Sequence, residues 1–137
     1  MEETVIVVMQ KSKNTGFLES ELGSYSVCDS ENLIYNIFAM EENSRISVYM
    51  RLTTERDLLD WEFSAVLDYY DTESLLQVCR LVTEDDTGYN PLWEVVFDFS
   101  ENQEMMEEKI SEILKQHKEE LVSVYDAIKD LEEDYKV

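Results

Sequence analysis

The chain has few of the residues from which most catalytic sites are built. Its 137 residues include one histidine, one proline, two cysteines and three glycines. The single histidine, His117, lies in an apolar helical stripe, so neither a Ser-His nor a Cys-His pair can be assembled elsewhere. No phosphate-binding glycine loop or nucleophile-elbow motif is present. The sequence therefore predicts a protein without catalytic residues, which is not an enzyme.

The scarcity of histidine and cysteine also argues against a metal or cofactor. Cys28 and Cys79 form no C-x-x-C pair, and we expect free, reduced, buried thiols, with a disulfide or a redox pair as the alternative. The acidic segment 84–90 lacks calcium-loop spacing before Gly88, so it is predicted to be the tip of a hairpin. We expect no bound metal and no cofactor.

Basic residues are scarce as well. The chain has 11 Lys and Arg against 32 Asp and Glu, for a net charge of −21. Binding to nucleic acid or to an anionic membrane needs clustered cations and is therefore excluded. The acidic surface keeps the protein soluble, meets a basic protein partner, or reflects halophilic adaptation. A narrower form of the partner interpretation is a nucleic-acid mimic.

Long apolar runs are absent. The longest near the N-terminus, Val5–Met9, follows two acidic residues and is too short for a signal-peptide core or a membrane span. The sequence thus predicts a cytoplasmic protein. Its length and its hydrophobic content of 44% predict one domain, residues 1–137.

Alternation of apolar and polar residues fills the first 99 positions. It is clearest at 46–52, 61–69 and 93–99 and weaker at 22–28, 33–40 and 75–83. The first run, 4–10, is apolar on both faces, so we expect it to be covered on both sides. It is either inserted between other strands or paired with the last one in a sheet that curls toward closure. Short connections favour antiparallel neighbours.

A single long helix is predicted after this region. No Gly or Pro occurs between Ser100 and Val137, Ser100 and Gln103 form a capping-box pattern, and acidic residues at the end predict fraying after Leu131. The apolar positions follow a heptad spacing: Ile110, Leu114, His117, Leu121, Val124, Ile128, Leu131 and Tyr135.

The predicted fold class is α+β: a six- or seven-stranded antiparallel sheet, strongly curved or a partly closed barrel (1–99), followed by one long helix (100–137). This element order resembles that of pleckstrin-homology-like barrels. The resemblance implies a barrel whose mouth the helix covers. It rests on no motif and implies no function, since the basic phosphoinositide loops of many such domains have no counterpart here.

The predicted helix is longer than the domain. About 34 residues span about 51 Å, whereas a domain of this size is about 37 Å across. The helix either packs on its own sheet or forms a homodimer. The possible dimer seam contains the stripe residues Leu114, His117, Leu121, Val124, Ile128 and Leu131.

Tyrosines next to carboxylates suggest where a basic partner would dock, because both attract Lys and Arg side chains. The predicted partner site contains Tyr49, Asp68, Tyr69, Tyr70 and Asp71, although ordinary half-buried strand tyrosines are the alternative. The predicted function is an acidic, non-enzymatic interaction or regulatory module. The alternative is a small-molecule-binding domain with an apolar pocket between sheet and helix.

Overall fold

Three antiparallel hairpins lie side by side in one six-stranded sheet. The computed structural model describes residues 3–28 and 33–135. Its strands are β1 (Glu3–Lys11), β2 (Leu18–Cys28), β3 (Ile34–Glu42), β4 (Arg45–Leu52), β5 (Leu81–Asp85) and β6 (Leu92–Asp98). Their order is β2-β1-β3-β4-β6-β5, with hairpins β1–β2, β3–β4 and β5–β6. The α+β class, with a mostly antiparallel sheet and a long helix near the C-terminus, is confirmed.

Four helices occur among the described residues. They are α1 (Asp60–Tyr69), α2 (Glu73–Leu76), α3 (Gln103–Ile128) and α4 (Glu132–Tyr135). The buried apolar residues of α1, α2 and α3 belong to one cluster with one face of the sheet. Two of these helices, α1 and α2, lie within the region 1–99 that the sequence predicts to be β throughout.

Strand β1 lies inside the sheet, between β2 and β3, which is one of the two predicted arrangements. It is covered on one face only. Ile6 and Val8 are buried, whereas Val5 is 64% and Val7 43% exposed. The prediction of cover on both sides is therefore wrong. Valine favours extended backbone whichever face it occupies, so this apolar run reflects strand propensity rather than burial.

The sheet is mixed and open. Among the described residues, β1 and β3 pair in parallel through the bridge Gln10–Ala39, whereas the other strand pairs are antiparallel. The prediction of an entirely antiparallel sheet is wrong at this junction. Because β2 pairs with the outer edge of β1, the edge of β1 that faces the centre of the sheet is left for β3, which runs parallel to it. The described sheet ends in β2 and β5, which do not pair with each other. The partly closed barrel, and with it the pleckstrin-homology-like layout, is not confirmed.

The segment 61–69, predicted as a strand, is helix α1. Its buried residues Ala65 and Val66 are adjacent, which does not fit a strand covered on one face. Glu62 fixes the helix start, because its carboxylate accepts a hydrogen bond from the Leu59 N–H at 2.9 Å and pairs with Arg56 at 3.0 Å. This local capping overrides the strand propensity of the aromatic residues. The predicted strand 75–83 likewise becomes α2 and the shorter strand β5.

Helix α3 starts later and ends earlier than predicted. Asn102 caps it, accepting a hydrogen bond from the Met105 N–H at 3.1 Å, whereas the Ser100 hydroxyl accepts one from the Asn102 N–H. Its 26 residues span about 39 Å. Instead of fraying, residues 132–135 form α4, where the acidic residues occupy a first helical turn and suit its positive end. The overhang expected of a 51 Å helix is absent.

Candidate functional site

A buried polar cluster holds α1 and α3 against the sheet. The side chain of His117 is 0% exposed and lies between the end of α1 and the start of the β4–α1 loop. Its Nδ1 is 2.8 Å from the Tyr70 hydroxyl, and its Nε2 is 2.7 Å from the Thr53 carbonyl oxygen. Tyr70 also stacks on Trp93, with ring centroids 4.3 Å apart. The cluster fixes the position of α1 relative to β6.

The hydrogen bonds of His117 define its protonation. A carbonyl oxygen only accepts, so Nε2 carries the proton and donates to Thr53, while Nδ1 accepts from Tyr70. Burial lowers the pKa of His117 to about 4, and the Thr53 hydrogen bond opposes this shift only in part. Burial likewise raises the pKa of Tyr70 far above its usual value. With both groups neutral and enclosed, the cluster stabilises the fold and offers no accessible acid or base.

An open groove lies between α1 and the β5 end of the sheet. We call it the acidic groove. Its volume is about 480 Å³, and its lining consists of Phe63, Ser64, Leu67, Asp68, Glu84 and Asp86. Phe63 and Leu67 are one helical turn apart and provide apolar surface. Carboxylates therefore stand on both walls of a partly apolar groove.

The charges of the acidic groove are not neutralised by its surroundings. No Lys or Arg is among its lining residues. None of Asp68, Glu84 and Asp86 forms an ion pair with a cation in the described part of the chain. Within residues 3–28 and 33–135, the hydrogen bonds to these carboxylates come from neutral donors: the Tyr135 hydroxyl to Asp68 at 2.9 Å and the Trp93 indole N–H to Glu84 at 3.4 Å. The groove is thus a place where a cationic side chain would gain both charge contacts and apolar contacts.

The five residues of the predicted partner site do not form one surface. Asp68 lines the acidic groove, and Tyr69 and Asp71 are exposed beside it. Tyr70 is 6% exposed and bonded to His117, so burial excludes it from a surface that a partner could contact. Tyr49 lies on the opposite face of the sheet, stacked on Phe38 with centroids 5.4 Å apart. Partner binding here stays a prediction, and of the five residues only Asp68, Tyr69 and Asp71 lie near one another at the surface.

Sequence reasoning missed the other groove residues because it assigned α1 to a strand. The spacing of four between Phe63 and Leu67, and between Ser64 and Asp68, is the available signal that these pairs share one helical face. Glu84 and Asp86 are two apart, as same-face residues of a strand are. Their approach to α1 depends on tertiary packing, which the sequence does not display.

The residues of the possible dimer seam are used inside the chain. Leu114, His117, Leu121, Val124 and Ile128 are buried, and Leu131 is partly buried against the same core. Of the two predicted arrangements, the structure contains the helix packed on its own sheet. Homodimerisation through this seam stays a prediction, and it would require α3 to leave the sheet that now covers it.

A second concavity lies between the sheet and the start of α3. We call it the α3 cleft. Its volume is about 550 Å³, and its walls are residues 77–80, residues 97–100, and Met105, Met106 and Lys109. Cys79 lies here as a free, half-buried thiol, whose pKa burial raises to about 11. The side chain of Cys28 lies outside the described residues.

No three His, Cys, Asp or Glu side chains among the described residues are grouped so that they could hold a metal ion. No helix in residues 3–28 or 33–135 has the length and apolar character needed to cross a bilayer.

Comparison with known proteins gives one match. No curated protein and no solved structure matches the chain. A family model matches residues 1–136, which is nearly the whole chain. The chain therefore belongs to a family of unknown function, DUF6762.

Proposed function

We propose that the protein is a non-enzymatic interaction or regulatory module that binds a basic protein surface. The observation that carries this proposal is the acidic groove, with Asp68, Glu84 and Asp86 on its walls and no cation in its lining. A Lys or Arg side chain has an aliphatic stem and a charged head. The stem can pack on the apolar surface of Phe63 and Leu67 while the head meets the carboxylates. We also expect the protein to act in the cytoplasm. A narrower form of the proposal is a nucleic-acid mimic, which would occupy the nucleic-acid-binding site of a basic protein.

The groove proposal differs from a general effect of net charge. A protein of charge −21 attracts any polycation over its whole surface. Recognition at the groove instead depends on three particular carboxylates and two apolar residues. A variant that removes these charges should therefore behave differently from one that removes the same number elsewhere.

The test compares two triple variants of equal net charge. The groove variant is Asp68→Asn, Glu84→Gln and Asp86→Asn; the control is Glu108→Gln, Glu112→Gln and Glu119→Gln on the exposed side of α3. The probe is a synthetic peptide that alternates lysine and leucine, titrated calorimetrically. We expect about tenfold weaker binding for the groove variant and little change for the control.

Salt provides the second readout. Binding of the peptide to the wild type should weaken as ionic strength rises, because exposed charge pairs are screened. Pull-downs from the native host should then lose the same partners in the groove variant. Equal losses in both triple variants would show attraction by net charge alone and would overturn the groove proposal.

A second candidate function is small-molecule binding, and the α3 cleft favours it. The cleft lies between sheet and helix, and its volume of about 550 Å³ falls within the range of about 300–1,000 Å³ that is usual for ligand pockets. The two candidate sites lie on different elements, so each can be tested without disturbing the other.

A further inference from the structure

The α3 cleft combines an apolar wall with an unusual set of polar groups. Phe97 and Met106 are buried at its base, and Met105 is 58% exposed at its rim. Methionine side chains are unbranched and polarisable, so they adapt to ligands of different shape. The wall can therefore accept an aliphatic chain or a ring without a fixed outline.

Hydrogen-bond donors in the cleft are only partly used. The Ser100 N–H points to the Met106 sulfur at 3.4 Å, and the Ser100 hydroxyl to the Met105 sulfur at 4.0 Å. Thioether sulfur is a weak acceptor, so both donors would gain from an oxygen ligand. Lys109 donates to the Val78 carbonyl oxygen at 2.9 Å, which leaves two of its three ammonium hydrogens without a partner among the described residues.

The carboxylate in the cleft is occupied. Asp98 is the only carboxylate in the lining, and both of its oxygens are bound: Oδ2 by Arg45 at 2.6 Å and Oδ1 by Arg80 at 2.8 Å. Each of the four arginines of the chain pairs with a carboxylate, but Lys109 has no carboxylate within ion-pair distance in the described residues. In a chain with 32 acidic residues, this cleft offers an uncompensated cation.

We infer that the α3 cleft binds an amphipathic monoanion, with a carboxylate head at Lys109 and Ser100 and an apolar body against Phe97 and Met106. This inference rests on the second candidate function and is independent of the acidic groove. A carboxylate would accept from the ammonium and from Ser100, which supplies the oxygen partners that these donors lack. A cationic amphiphile would find no free carboxylate among the residues that line the cleft.

The test uses octanoate, octanol and octylammonium, which share one chain length and differ in the charge of the head. The protein carries 13C-labelled methionine methyl groups, and the titration is followed by NMR at physiological salt. Met105 and Met106 report on the cleft, while Met50, which is fully buried among the sheet strands, is the internal control. We expect saturable shifts of the two cleft methionines, with octanoate binding at least tenfold more tightly than octanol.

Lys109→Gln should remove that preference, whereas Lys115→Gln, on the exposed side of α3, should keep it. Unchanged methionine spectra without ligand will show that Lys109→Gln retains the fold; if it does not fold, the comparison of octanoate with octanol in the wild type decides. Equal binding of octanoate and octanol, or a preference for octylammonium, overturns the inference but leaves small-molecule binding in place. Absence of saturable shifts with all three compounds overturns both.

Discussion

His117 shows how one residue can connect three parts of a fold. Its ring contacts the end of α1 through Tyr70, the loop after β4 through Thr53 and β6 through Trp93. Each ring nitrogen has one partner, so no buried polar atom of the imidazole is left unsatisfied. Replacing the ring by a hydrocarbon would leave the Tyr70 hydroxyl and the Thr53 carbonyl without these partners, which costs more than the loss of one exposed hydrogen bond.

The buried imidazole predicts a pH-dependent loss of stability. Its pKa is about 4 in the fold and about 6.5 in an unfolded chain, so the unfolded state binds the proton first as the pH falls. The contribution of His117 is therefore complete above about pH 6.5 and lost progressively toward pH 4. Glutamine at this position can donate to Thr53 and accept from Tyr70 but does not titrate. We expect the stability of the wild type relative to His117→Gln to fall by about 3 kcal/mol between pH 7 and pH 4.

Urea denaturation of both proteins across this pH range measures the difference. Protonation of carboxylates acts on both chains equally and cancels in the comparison. Parallel stability curves for the two proteins would contradict the prediction.

The burial of a single residue could be predicted where it depends only on which face of its helix or strand the residue occupies. The stripe of α3 identified its buried positions, His117 among them, because a helix repeats every 3.6 residues and one side meets the core. The alternation over residues 46–52 likewise predicts that Tyr49 lies on the face opposite to Val48 and Met50, both of which are buried. The burial of Tyr70 was not predictable, because this residue follows the last residue of α1 and is covered by Trp93 and His117, which are distant in sequence.

At the scale of elements, helix starts were harder to locate than helix bodies. The stripe of α3 was evident from Ile110 onward, but its first turn contains Glu104 and Met105, both exposed, and shows no such pattern. Ser100 and Asn102 both have N-capping side chains, so the sequence allowed more than one start. Because Asn102 caps the helix, Ser100 lies before its first turn and lines the α3 cleft.

Alanine substitutions distinguish the observed cap from the predicted one. Asn102→Ala removes the acceptor of the Met105 N–H, so we expect it to lower the free energy of unfolding by about 1 kcal/mol. Ser100→Ala removes only a local hydrogen bond to the Asn102 N–H and should cost less than half as much. Chemical denaturation of the two variants measures both effects, and an equal or larger loss for Ser100→Ala would place the cap at Ser100.

Helix α1 illustrates a limit of periodicity. Residues 61–69 place aromatic or apolar side chains at every second position, which is the pattern of a strand. The deciding contacts are the Glu62 bond to the Leu59 N–H, the pairing of Glu62 with Arg56, and the Tyr135 bond to Asp68. The first two are local and could have been weighed, whereas the third joins residues 67 apart and could not.

At the scale of the whole molecule, the two edge strands of the sheet are protected from further strand pairing in different ways. The edge strand β2 is bound by side chains of α3: the Ser26 N–H donates to Glu107 at 2.6 Å, and the Gln103 amide donates to the Ser24 carbonyl oxygen at 3.5 Å. These side chains occupy backbone groups that would otherwise be open to another strand. The other edge, β5, borders the acidic groove, where carboxylates oppose edge-to-edge association with a second acidic chain.

The junction between β1 and β3 divides the sheet into unequal parts. In the described part of the chain, one parallel bridge joins the hairpin β1–β2 to the other four strands, whereas β4 and β6 share six paired positions. Apart from this bridge, polar contacts of the hairpin with the rest of the chain include those that Gln103 and Glu107 make to β2. The hairpin β1–β2 should therefore be able to open as a cooperative unit while β3, β4, β6 and β5 stay paired.

Native-state hydrogen exchange tests this partial opening. Val8 and Val48 are both 0% exposed, so burial alone predicts equal protection of their amides. We expect Val8 to exchange through an opening of lower free energy than Val48, and Glu107→Gln to lower the protection of β1 and β2 further while leaving β4 and β6 unchanged. Uniform protection across all six strands would mean that the domain opens only as a whole. If the hairpin does open alone, the open state uncovers Ile6, Val8 and the unpaired edge of β3, so the lifetime of this minor state, more than global stability, would set how readily the protein aggregates.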